Sequence, residues 1–196
     1  MTISKRYFWI GIISSLLISI LHLLNAFYEY SGVIDETYNI ARNLIYTIAF
    51  SYFFTSILFL LNSVLIDYYK QESLRNNLAW IIRLYIVISV LAILTILGFS
   101  KFIFILSVIL LIINLIFFIL FLRGVMSLDE TDVPTIGQLK NFILSLMIVI
   151  LLRFILGFII EFGMKHELKY LNQIFMSVPF IFMSLFFYKT MKTIYK

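Results

Sequence analysis

The chain has 196 residues, 63% hydrophobic and 13% charged, with a net charge of +5 and a mean hydropathy of +1.07. That balance excludes a soluble domain and argues against a nucleic-acid partner, because Lys and Arg in such a chain chiefly set its orientation across a bilayer. It has no cysteine, which excludes disulfides, a lipobox, a thiolate nucleophile and cysteine metal sites.

Apolar runs of about 20 residues fit, as helices, a hydrocarbon core of about 30 Å. The sequence predicts six of them, over Tyr7–Tyr28, Ile40–Ile66, Trp80–Leu97, Phe102–Leu122, Leu139–Ile160 and Asn172–Tyr188. The breaks between them are too short to fold alone. The expected fold class is therefore all-α: a polytopic membrane protein, a single domain over 1–196 with six transmembrane helices, and a lipid bilayer as its first partner.

Span one follows Lys5 and Arg6 but is too long for a signal-peptide core, and no small-x-small cleavage site follows it. It is expected to stay in the membrane. Gly11, Ser15, Ser19, His22, Ala26 and Glu29 fall on one helix face at spacings of three and four. The lower part is small-xxx-small, the pattern that lets membrane helices approach closely. The upper part is polar. His22 is either a ligand or proton-relay group or a hydrogen-bonded packing residue. Haem ligation is not expected, since the only other histidine is His166 in an outer loop.

Span two carries Asn43, Thr47, Ser51, Thr55 and Asn62 along one stripe. Span three reads as mostly apolar filler. A tight turn, Gly98-Phe99-Ser100-Lys101, joins it to span four, which holds Ser107 and Asn114. The acidic run Asp129-Glu130-Thr131-Asp132 before Pro134 reads as a solvated loop.

Span five holds Arg153 slightly to the outer side of its middle. A charge at that depth costs about 2.5–3.5 kcal/mol on insertion scales. Helical side chains lean toward the helix N-terminus, here toward the membrane centre, so snorkelling outward works against the rotamer. Arg153 is expected either to anchor an anion or polar ligand or to act as a strut bonded to carbonyls or amides. Glu161 is on the same face, about 12 Å above by helix rise, too far for direct contact. Span six contains Pro179, which should kink it.

With the N-terminus inside, ten of the fifteen Lys and Arg side chains are cytoplasmic, four are outside, and Arg153 is left within a span. Both termini are thus expected in the cytoplasm of a plasma (inner) membrane of bacterial type. Asp35-Glu36-Thr37 and Asp129-Glu130-Thr131 echo one another, and the halves 1–97 and 98–196 could form an inverted repeat of three helices each.

His22, Asn25, Ser51 and Arg153 share the outer half, Glu29 and Glu161 its rim, and Asn114 is just below centre. Converging, they would make one polar cavity open to the outside. No HExxH, GxSxG or P-loop occurs, so no catalysis, metal or cofactor is expected. One expected function is a small-solute binding or transport component. Its plan resembles the substrate-binding subunits of energy-coupling-factor transporters, also small six-span proteins. That likeness implies that Gly11, Ser15 and Ser19 dock a membrane-protein partner; a homo-oligomer could use the same face. The alternative is a non-catalytic accessory, immunity or defence protein working through protein contacts.

Overall fold

The computed structural model describes residues 3–31, 36–163 and 169–195, and the side chains of these except 36–38, 158–163 and 169. Six helices follow in order: α1 (Lys5–Ser31), α2 (Glu36–Asn62), α3 (Glu72–Ile96), α4 (Lys101–Ser127), α5 (Ile136–Gly163) and α6 (Lys169–Ile194). Each is long and apolar enough to cross a membrane. At 25–28 residues they rise about 37–42 Å, so their ends stand beyond the hydrocarbon core. The all-α multi-pass bundle is thus as expected.

The helices form a ring in chain order, closed by α1 against α6. These two run antiparallel along their whole length. Tyr195 donates its hydroxyl proton to the carbonyl of Ile3 at one end, and the Tyr30 and Tyr170 rings meet edge-on at the other. Between them, small residues let the backbones approach. A Cβ added at Gly11 would stand 2.2 Å from Leu60 Cδ2 and 2.9 Å from Phe187 Cδ2. Ser15 turns its hydroxyl back to the Gly11 carbonyl, and Ser19 donates to the Ser177 carbonyl at 2.8 Å. All three are buried. The small face of span one is therefore a packing face, as its spacing predicts, but α6 and α2 of the same chain cover it. The face on which the transporter likeness placed a partner is thus occupied, in this chain, by its own helices.

Elsewhere the ring is held by larger side chains. Phe54 of α2 meets Tyr85 of α3 with centroids 4.9 Å apart, and Trp80 of α3 stacks on Phe117 of α4. Gly124 of α4 admits Leu74 of α3 so closely that a Cβ would be 2.4 Å from it. Between α5 and α6, Phe142 packs against Phe180, and the hydroxyl of Thr135, in the turn just before α5, shares a hydrogen bond with that of Thr190 at 2.6 Å. The α4–α5 seam is the thinnest in the ring.

Burial is uneven along the membrane normal. The fully buried side chains, such as Phe8, Leu65, Leu78, Val125, Leu139 and Phe187, cluster in the half that holds both termini. α2 ends there in a π-helical turn, Ser63–Tyr68, whose wider path lets the three successive residues Val64, Leu65 and Ile66 all face inward. Lys70, at φ 58°, then reverses the chain. In the opposite, distal half the helices bury little. The turn after α3 uses Gly98 at φ 82°, as expected for a tight reversal, and α6 continues through Pro179 without a break.

Candidate functional site

The polar residues meet where the packed half gives way to the distal half. His22, 3% exposed, sits on α1 with its Nδ1 3.0 Å from Gln173 Oε1 on α6 and 3.0 Å from the Tyr46 hydroxyl on α2. Gln173 Nε2 in turn donates to Glu29 Oε1 at 3.3 Å. A carboxylate only accepts, so it fixes the amide with Oε1 toward His22. The ring then carries its proton on Nδ1 and leaves Nε2 as a bare acceptor, an assignment made from this network. That Nε2 is buried and has no partner among the described residues.

Aromatic rings enclose the imidazole. Phe180 stacks on it at 5.9 Å, and Phe50 and Tyr46 meet it edge-on at 5.7 and 5.9 Å. Phe50 continues to Phe54, and Phe54 to Tyr85 and Phe180. Phe180 also touches Phe142. This band crosses the bundle from α1 to α3 and α5. On its terminal side is an apolar cavity of about 20 Å³ beside Phe54, Phe118, Phe142 and Met183. A space lined only by apolar side chains stays dry, so the bundle interior just below the band offers a solute no polar contact.

Above the band, the Tyr85 hydroxyl is within hydrogen-bonding reach of Ser51 and Ser89. Span three is therefore not filler: it adds Tyr85 and Ser89 to the polar group. Thr47 and Thr55 are half-buried on the same stripe as Ser51.

Arg153 stands beyond the midpoint of α5. From Ile150 to Ile155 every side chain is exposed, more than one and a half helical turns. No described helix covers any face of that stretch. Among the described residues Arg153 makes no hydrogen bond or ion pair.

The remaining expected residues divide. Glu29 joins the His22 network, and Ser51 joins Tyr85. Asn25 is half-buried and lines a lateral groove of about 440 Å³ between α1 and α2, together with Tyr28, Arg42 and Tyr46. Asn114 is not brought to the group, because α4 packs on α3 and thinly on α5, away from α1 and α2. Its buried Oδ1 has no partner among the described residues. The Glu161 side chain lies outside the described residues. Asp129 is not a site but a closed turn, its carboxylate bonded by Thr131 and the Asp132 amide. Among the described residues, no three His, Asp or Glu side chains gather as metal ligands would.

Tyr46, Gln173, Tyr85 and Phe180 are the site residues that sequence reasoning missed. Tyrosines in such chains read as interfacial belt, and Gln173 sits at a span edge where an amide is unremarkable. The one available signal was spacing: Tyr85 and Ser89 are four apart, on one face of span three.

Comparison with protein-family models, with curated proteins and with solved structures finds no match to this chain. What defines it is therefore its own geometry: a multi-pass membrane protein with six apolar helices whose described residues pack most densely in the half that holds both termini.

Proposed function

We propose that this protein binds a small anionic solute in the distal half of its bundle, as a capture or transport component that does not transform its ligand. The observation that carries this reading is Arg153. A guanidinium at that depth, with no counter-ion among the described residues, is costly to keep unless something anionic completes it.

The aromatic band would give such a site a floor on the terminal side. Purification in detergent followed by mass spectrometry of extracted small molecules tests the reading. An acidic compound should accompany the native protein and disappear from Arg153→Gln, while helicity stays unchanged. An acidic compound held equally by both proteins would remove Arg153 from the site. No acidic compound with either would count against anion capture itself.

A further inference from the structure

The walls of the distal opening narrow the class of ligand. On α5, Arg153 is the single polar side chain between Met147 and Ile160, and the exposed neighbours Ile150, Leu151, Phe154 and Ile155 surround it on every face. On α4, Leu111, Ile112 and Ile113 are exposed in succession, and Asn114 is the single polar residue between Val108 and Phe121. Helices lining an aqueous vestibule would carry a polar face toward it. These two carry hydrocarbon nearly all round, with one amide on α4 and one cation on α5.

The seam they form is also the thinnest in the ring. α4 and α5 come together near the terminal side, where Phe118, Phe121 and Leu122 face Leu139, Phe142 and Ile143 around the small dry cavity. Above it both helices are bare. The floor is shut by Phe54, Phe142 and Phe180, so a ligand that reaches Arg153 does so from the distal end or from the side.

A compact hydrated anion suits this poorly. It would shed its water against apolar walls for one charge contact. A molecule with an anionic head and a hydrocarbon tail suits both parts: the head meets Arg153, and the tail leaves between α4 and α5 into the leaflet. Arg153 lies only a few residues past the middle of its helix, deeper than a phospholipid head group normally sits. A bulky two-chain lipid would have to drag its whole head down to that level, whereas a single-chain acid brings a carboxylate alone.

We propose that the ligand is a long-chain carboxylic acid, held by Arg153 and exchanged with the distal leaflet through the α4–α5 seam. The proposal rests on the anion-capture reading above and adds the tail and the route.

The test uses the full chain in nanodiscs of phosphatidylcholine with three probes: hexadecanoic acid, hexadecanol and butyrate. The acid should bind saturably, about tenfold tighter than the alcohol, which corresponds to one charge-assisted contact of about 1.4 kcal/mol. Butyrate should fail to displace it even in large excess. Arg153→Gln should abolish the preference for acid over alcohol, and Arg153→Lys should restore part of it, which shows that loss of charge and not misfolding is responsible. Leu151→Trp, which adds bulk to the bare stretch of α5 beside Arg153 without touching the charge, should slow exchange of the acid. If butyrate competes as well as the long acid, the tail and the side route fall while anion capture stands. If neither acid binds saturably, both fall. If acid and alcohol bind alike, Arg153 is no anchor and the proposal is overturned.

Discussion

The imidazole Nδ1 of His22 and the amide oxygen of Gln173 lie 3.0 Å apart, so the first and last helices of the chain are joined by a hydrogen bond beside the aromatic band. The same imidazole has its other nitrogen buried and unsatisfied. One ring thus both fastens the bundle and carries the cost of an unmade bond.

Two substitutions at His22 separate these effects. His22→Ala removes the bond to Gln173 and leaves a hole among Phe50, Tyr46 and Phe180, so thermal unfolding in detergent should show a loss of about 2–4 kcal/mol. His22→Phe keeps the ring contacts and deletes the orphaned nitrogen. Its stability should stay within about 1 kcal/mol of native, because the lost hydrogen bond is offset by the removed desolvation penalty. Equal destabilisation by both would mean that the Gln173 bond, not the packing, dominates.

Gly11 should be intolerant of any side chain. Its Cβ position is 2.2 Å from Leu60 and 2.9 Å from Phe187, and both are packed in the core. Gly11→Ala is expected to cost about 1–3 kcal/mol by overpacking. Gly157→Ala, with open space at its Cβ, is the control and should be neutral or slightly stabilising. Denaturation in mixed micelles compares the two directly.

Removing the Ser19 hydroxyl tests the polar part of the α1–α6 seam. Ser19→Ala deletes the bond to the Ser177 carbonyl and should cost about 0.6 kcal/mol, near the mean for interhelical hydrogen bonds in membranes. Ser19→Leu should cost several times more, because the backbones no longer fit together. A similar small loss for both would show that the seam is looser than its hydrogen bonds indicate.

The turn before α5 should respond to acid. The Thr131 hydroxyl, followed by the amides of Asp132 and Thr131, holds the Asp129 carboxyl below its ordinary value of 3.8. A depressed carboxylate contributes to the folded turn above its unfolded value, and that contribution disappears as the pH falls through the folded one. Protection of the Thr131 and Asp132 amides, taken relative to their intrinsic exchange rates, should therefore fall below a pH of about 4 in the native chain. In Asp129→Asn that protection should be lower at neutral pH and should not change with acid over that range.

Hydropathy located all six helices because it reports where lipid must be. It misjudged some ends. α3 starts at Glu72, eight residues before the expected Trp80, since Arg75, Asn76 and Asn77 resemble a loop to a hydropathy window. They are helical residues standing outside the hydrocarbon core, and Arg75 pairs with Glu72 at 2.7 Å. His22 and Arg153 were legible because a buried histidine and a mid-span arginine are individually expensive. Gln173 and Tyr46 were not, because their importance lies in which way α6 and α2 are rotated. A helix apolar on nearly every face leaves that rotation unspecified by its own sequence. For the same reason the pairing of Asn114 with the site failed: its depth was readable, its neighbours were not.

The closure of the ring by α1 and α6 has a consequence for synthesis. Leu60 of α2 reaches Gly11 early, but Ser177 and Phe187 of α6, which cover Ser19 and the rest of Gly11, are made more than 150 residues after the face they cover. Throughout elongation the first helix must wait in the membrane with the Ser19 hydroxyl and its α6-facing side uncovered. A ribosome that stops before α6 leaves a chain with that face still bare, a mark by which quality control could tell an unfinished copy from a finished one.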